Sequence, residues 1–422
     1  MKSLLIFFDK LVDTTFPALR HRNFRLFWFG QMISLIGTWM QNIGQDWLVL
    51  KLTNSAFLLG VVSALQFLPM LFLSLFAGVI IDRFPKRKIL IFTQSCLMAT
   101  ALVLATLTAF NLINYWEILI LATIMGFVNT VDNPTRQSFI IDLVGKEDLM
   151  NAISLNSSIF NAARIIGPGI AGVLIGILGY ALCFYLNALS FIAVITGLVL
   201  IDVKINKART ILQKKEIISD IKEGLLYIKN TPIILATILM MAVLSTFAIN
   251  FNVLVPVFAK NTLNQNSTGY GFLMSSMGVG ALIGALILAT LSKKGAKPFY
   301  LIAGGFGLCL FQILIGFQSY YWLTTVLLAL SGFSMITFSA SANTTVQLNS
   351  NNKFRGRVMS VYSLVFGGVT PIGALYAGSL AEKFGAHITF IISGIIGILY
   401  LMYVILFQYK YSYANGITDQ DI

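Results

Sequence analysis

The sequence predicts an all-α integral membrane protein that crosses the bilayer about twelve times, in two sets of six helices. Three observations predict it. Of 422 residues, 57% are hydrophobic and only 11% charged, a balance that a water-soluble chain could pack only by exposing large apolar patches. The apolar residues gather into runs of roughly 20, the length a helix needs to cross the hydrocarbon core. Lysine and arginine are confined almost entirely to alternate loops.

The first six spans run over 24–50, 57–81, 89–110, 118–139, 152–175 and 181–201. The second six run over 233–258, 269–291, 299–317, 322–346, 358–380 and 388–407. These runs are far longer than a barrel strand and lack sustained two-residue alternation, so helix is preferred. The chain is accordingly divided into an N-terminal tail (1–23), a first bundle (24–202), a linker (203–231), a second bundle (232–408) and a C-terminal tail (409–422). No small-residue cleavage site follows an apolar core near Met1, so no removable signal peptide is expected.

All but four of the 29 basic residues fall in the tails or in loops on the same side as the tails; the exceptions are Lys51, Lys260, Lys383 and Arg164. Basic residues are retained on the cytoplasmic side of short loops, which puts both termini in the cytoplasm and, for a bacterial-type chain, places the protein in the cytoplasmic membrane. The formal charge of +13 thus lines the membrane edge and forms no nucleic-acid surface. Cys96, Cys183 and Cys309 stand far apart inside apolar runs, and His21 and His387 have no metal-spaced neighbours, so neither a disulfide framework, a metal site nor a cofactor is expected. No Gly-rich phosphate loop, serine elbow or catalytic carboxylate pair is present, which argues against ATP drive and against an enzyme.

Within the linker, Ile217, Ile218, Ile221, Leu225 and Ile228 recur at near-helical spacing, consistent with an amphipathic helix or with a solvated connector. The halves carry a weak internal echo. Pro168 of span 5 and Pro371 of span 11 both sit among glycines, at nearly the offset that separates spans 1 and 7. A parallel repeat of six spans places a substrate cavity at the interface of its halves.

Several segments resemble one family. Gly78-Val-Ile-Ile-Asp82-Arg83-Phe-Pro-Lys-Arg87-Lys88 resembles the cytoplasmic loop signature of the major facilitator superfamily, departing at Pro85, where the family usually has glycine; Ser292-Lys-Lys-Gly-Ala-Lys297 is similar to a decayed second copy. Gly167, Pro168, Gly169 and Gly172 resemble the span-5 signature of that superfamily's antiporters. Asp132 to Gln137, Asn151-Ala152 and Arg355 to Ser360 resemble a branch of exporters that includes the enterobactin exporter and macrolide-efflux relatives. The resemblance covers nearly the whole chain. It implies the major facilitator fold, alternating access, and a cytoplasmic gate at Gly78, Asp82, Arg83 and Arg87, joined by Arg136.

Charged groups at membrane depth are costly and default to functional candidates. Asp132 in span 4 and Arg164 in span 5 lie at similar depth, and as a pair they would form either a proton-sensitive switch or a permanent salt bridge. Asp46, near the far end of span 1, is a further candidate for proton coupling or for anchoring a cation. Gln31, Asn42, Gln45, Gln66, Asn161, Asn250 and Asn343 are candidate polar groups of the cavity, with phenylalanine and methionine as an adaptable apolar wall. The reading is a monomeric secondary transporter exporting a small amphipathic molecule, such as a drug, siderophore or metabolite, against protons. The alternatives are a lipid or lysophospholipid translocator, or an importer of the same fold.

Overall fold

A computed structural model describes residues 16–202, 223–291 and 298–414, apart from the side chains of 74–79, 82 and 407–414. Among these residues the secondary structure is helical throughout, and no strand occurs. After a short 3-10 turn, Pro17–Arg20, the first half forms α1 (Arg22–Thr53), α2 (Ala56–Arg83), α3 (Lys86–Ala109), α4 (Tyr115–Val144), α5 (Leu149–Leu178) and α6 (Tyr180–Leu200). The second half forms α7 (Pro232–Phe247), α8 (Phe251–Asn261), α9 (Ser267–Leu291), α10 (Pro298–Gly316), α11 (Tyr321–Asn349), α12 (Arg355–Gly368) and α13 (Thr370–Ala414).

Local chemistry accounts for the boundaries. The Asn114 amide donates to Glu117 at 3.0 Å, a box that starts α4. Asn54 adopts a left-handed backbone conformation to end α1. Gly385, at φ 83°, turns the chain inside α13 and so separates span 11 from span 12, a conformation open to glycine and strained for a side chain.

Spans 7 and 11 are each interrupted. Span 7 breaks between α7 and α8 around Ala248–Asn250, and span 11 breaks at Val369 between α12 and α13. Pro371 lies just past the second break, where a helix start tolerates its missing N–H, whereas α5 runs unbroken through Pro168. The carbonyl of Ala248 exposed at the first break is taken by the buried Gln312 amide of α10, and Asn250 donates to Thr246 O at 2.7 Å. A Cβ on Gly373 would lie 2.6 Å from Asn250 Oδ1, so the two breaks are neighbours. Irregular backbone at membrane depth persists only where protein or a polar cavity satisfies it.

Nine stretches among the described residues are long and apolar enough to cross a membrane, and one of them, Arg355–Leu406, is 52 residues long. Helices α1 and α4 fall outside that set, diluted by Gln31, Gln41, Asn42, Gln45 and Asp46 in one and by Asn129, Asp132, Asn133, Arg136 and Gln137 in the other. The outward surface is apolar: Phe92 is 69% exposed and Trp322 78%, which suits lipid as solvent.

The chain forms two compact units. The first holds residues up to Asn54, Leu65–Ile211 and Asn266–Ser275; the second holds Ser55–Ala64, Leu212–Gln265 and the chain from Ser276 onward. In the first, α1 packs against α5 and α6, and α3 against α4 and α6. Phe24, Phe27, Leu90, Phe139, Ile140, Val194 and Leu198 form a buried core at the tail-side ends of these helices. In the second, α10 packs on α11 and α13, and α7 on α13 and α11. Each unit thus includes the first turns of a helix whose remainder lies in the other, α9 and α2 respectively, a division that the span boundaries alone do not suggest.

Candidate functional site

A fully buried carboxylate inside a span, Asp132, is bound by three side chains. Its side chain is 0% exposed, accepts from Thr93 Oγ1 at 2.6 Å and Gln94 Nε2 at 2.9 Å, and is ion-paired with Arg136 one turn along α4. Arg136 donates its other terminal nitrogen to Gln31 Oε1 of α1 at 2.6 Å. Helices α1, α3 and α4 are thereby tied through one carboxylate. A buried charge in an apolar medium persists only when paired and hydrogen-bonded. Three buried atoms of this network, Gln31 Nε2, Gln94 Oε1 and Arg136 Nε, have no protein partner.

The expected pairing of Asp132 with Arg164 is replaced by Asp132 with Arg136. Residues four apart face each other on a helix, and Pro134 between them does not break α4. Arg164 is half-buried and donates to Asn161 Oδ1 at 3.1 Å, one turn back on α5. Asp46 accepts from Tyr270 Oη of α9 at 3.2 Å, and the Tyr270 ring stacks on Trp47 at 5.4 Å between centroids. Tyr270, Thr93 and Gln94 were not singled out by sequence; Thr93-Gln94 offered a signal as an adjacent polar pair inside span 3, whereas Tyr270 offered none.

At the loop between α2 and α3, the side chains of Gly78 and Asp82 lie outside those described, and Arg83 is exposed. Its basic neighbours bind within the first unit. Lys86 bridges to Asp142 at 2.7 Å and donates to Ser138 O at 2.6 Å. Arg87 donates to Leu198 O at 2.6 Å and Val199 O at 2.5 Å, closing the C-terminal end of α6, where a cation is favoured. Arg87→Gln is expected to lower the melting temperature of the purified protein, with a cost of at most about 1.5–3 kcal/mol for charged hydrogen bonds; an unchanged melting curve would mean these bonds contribute nothing.

Of the linker positions, Ile217, Ile218 and Ile221 lie outside the described residues; Leu225 is exposed and Ile228 buried. The adjoining turns meet the start of α12: Tyr227 stacks on Phe354 before it at 4.7 Å, and Glu223 pairs with Arg357 in its first turn at 2.6 Å.

Two of the close helix contacts that glycines build correspond to one another. In the first unit, α5 meets the first turns of α9, where a Cβ on Gly172 would lie 3.1 Å from Gly271 Cα. Ser275 donates to Ile165 O at 2.7 Å, in the turn before Pro168, and Thr268 donates to Gly172 O at 3.0 Å. Gly169 faces Ser275, and Gly167 faces Trp39 of α1. In the second unit, the first turns of α2 meet α13, where a Cβ on Gly60 would lie 3.1 Å from Gly378 Cα. There Glu382 caps α2, accepting from Ala56 N at 2.7 Å, Ser55 Oγ at 3.0 Å and Phe57 N at 3.2 Å. The first contact joins spans 5 and 8, the second spans 11 and 2, so each matches the other under exchange of the two sets of six.

Of the remaining polar candidates, Gln45 and Asn250 are buried, and Asn42, Gln66 and Asn343 half-buried. Asn343 accepts from Gln347 at 2.6 Å within α11. A second buried set, Asn187 donating to Gln41 Oε1 at 2.7 Å, ties α6 to α1.

Apolar helices long enough to cross a membrane, two of them interrupted, around a buried charged network are the features of a membrane transport protein. Over residues 13–418 the chain matches, and belongs to, the transmembrane secretion effector family of the major facilitator superfamily. It is 30% identical to the staphyloferrin A transporter of Staphylococcus aureus, covering 88% of this chain and 92% of that one. It is 26% identical to the multidrug efflux pump Tap of Mycolicibacterium fortuitum, covering 86% and 90%, and 24% identical to macrolide efflux protein A of Streptococcus pyogenes, covering 88% and 92%. Among solved structures, a bacterial homologue of the lysosomal transporter Spinster superposes with a TM-score of 0.74 at 10% identity, covering 92% of this chain and 96% of that one. A D-xylose–proton symporter gives 0.70 at 14%, covering 90% and 97%. These structures share the fold.

Proposed function

We propose that this chain exports a small amphipathic organic molecule by alternating access, driven by inward movement of protons through the Asp132 network. The two sets of six spans, 24–202 and 232–408, rock about a shared cavity, with twelve crossings and both termini in the cytoplasm. The observation that carries the coupling is the fully buried Asp132 carboxylate, which holds Arg136 and, through it, Gln31. Protonating Asp132 removes the charge that holds Arg136, and the partnerless atoms of Gln31, Gln94 and Arg136 give the network spare hydrogen-bonding capacity for a second arrangement. Arg136 is the one other charged group bonded to Asp132; Thr93, Gln94 and Gln31 are neutral. Arg164 and Asp46 are secondary coupling candidates.

Support for the substrate class comes from relatives matched along nearly their full length, whose names specify a siderophore, several drugs and a macrolide. An apolar cavity with a few neutral polar groups suits such molecules. Membrane lipid surrounds the protein, and one chain holds a whole transport unit.

The test is transport in proteoliposomes against a panel of a siderophore, a macrolide and lipophilic dyes, with and without a pH gradient. The expected result is exchange of at least one compound, accelerated by a gradient that drives protons opposite to it. Exchange indifferent to the gradient would remove proton coupling. Movement of labelled phospholipid with none of the panel compounds would replace export by lipid translocation.

A further inference from the structure

Helices α1 and α6 come close where side chains are missing. A Cβ on Gly30 would lie 3.0 Å from Ala193 O, and one on Gly197 would lie 2.7 Å from Leu26 O. The small residues Gly30, Ala193, Thr196 and Gly197 therefore form a sunken floor. The larger side chains of Phe29, Ile33 and Leu200, each about half exposed, stand beside it as walls. The result is an open groove of about 590 Å³ in the first unit, walled by exposed apolar side chains.

Leu26 and two arginines, Arg22 and Arg25, complete its lining, and no carboxylate among the described residues lines it. Both are exposed and belong to the first turn of α1, where the helix leaves the membrane. The carbonyls at the end of α6, which would repel an anion, are already occupied: Leu198 O and Val199 O by Arg87, and Leu200 O by Arg22 at 3.4 Å. A groove that is apolar along the membrane depth and doubly cationic at the interface matches a molecule with an acyl chain and a phosphate. Basic pockets between spanning helices attract anionic headgroups for this reason.

We propose that the α1–α6 groove seats one anionic phospholipid of the leaflet on the basic-loop side, with its phosphate between Arg22 and Arg25 and an acyl chain along Gly30, Ala193 and Thr196. The seat lies on the lipid-facing surface and is distinct from the Asp132 network. The lipid fills the furrow that the glycines leave open and braces the tail-side end of α1 against α6.

Native mass spectrometry of the full chain, purified in an equimolar mixture of phosphatidylglycerol and phosphatidylcholine, tests this. The wild type is expected to retain one phosphatidylglycerol in preference to phosphatidylcholine by roughly tenfold or more, given attraction from two basic side chains. Arg22→Gln with Arg25→Gln should abolish the preference. Arg25→Gln alone, which keeps the Arg22 bond to Leu200, should reduce it partway. Thr196→Phe, which fills the floor without altering charge, should lower occupancy by both lipids. Equal phosphatidylglycerol retention in all variants overturns the proposal. So does loss confined to the arginine variants with Thr196→Phe unaffected, which would indicate diffuse attraction, or equal retention of the two lipids by the wild type. Binding is read without transport, so failure here leaves the export reading standing.

Discussion

Asp132→Ala is expected to be the most damaging single substitution in the first unit. It removes the acceptor for Thr93, Gln94 and Arg136 together and leaves the Arg136 guanidinium, 16% exposed, without its counter-charge. Removing one partner of a buried pair costs about 3–5 kcal/mol, more than the pair itself contributes, because the remaining charge stays desolvated. The purified variant should melt well below the wild type, and adding Arg136→Gln should recover part of the loss. Asp132→Asn, closer in shape, separates folding from coupling: it should retain exchange at equal pH while losing acceleration by the proton gradient. A wild-type response to the gradient in Asp132→Asn would assign coupling elsewhere, with Asp46 next to be tested.

The second large effect is expected at the glycine contacts. Gly172→Leu places a Cβ 2.8 Å from Ser267 O and 3.1 Å from Gly271 Cα, both backbone atoms that cannot rotate aside. Gly378→Leu does the same against Ala56 O at 2.8 Å and Gly60 Cα at 3.1 Å. Overpacking of this kind costs about 1–3 kcal/mol, and each 1.4 kcal/mol is a factor of ten in an equilibrium, so exchange should fall roughly 10- to 100-fold if these contacts belong to the transport cycle. Gly356→Ala, with nothing within 4 Å of its Cβ, is the steric control and should melt as the wild type does. Full-rate exchange in both leucine variants would show that neither contact is used in transport.

For Asp132, burial and the one-turn spacing to Arg136 were legible in the sequence, whereas the choice of Arg136 over Arg164 was not. A carboxylate well inside an apolar run announces itself, but its partner could have been any cation at similar depth. Arg164 was a candidate by depth alone; Arg136 won because the helix placed it one turn away on the same face. The acceptor role of Asp132 toward Thr93 and Gln94 depends on how α3 packs on α4, which no spacing along one helix encodes. Glu382 is a sharper case. It belongs to no motif of the sequence, yet it caps a helix more than three hundred residues earlier in the chain.

By itself, then, the amino-acid order determined the lipid-suited character of this protein, the helical character and approximate limits of its helices, the gathering of its basic residues into alternate loops, and its resemblance to a superfamily. Those properties are sums over neighbours in the chain: hydropathy, helical length and charge per loop. Tertiary structure alone decided the interruption of spans 7 and 11, the neighbouring of those breaks through Asn250 and Gly373, the two glycine contacts that pair span 5 with 8 and 11 with 2, and the groove between α1 and α6. Each of these depends on which helix faces come within a few ångströms of one another, and residues far apart in sequence meet there only once the bundle has packed.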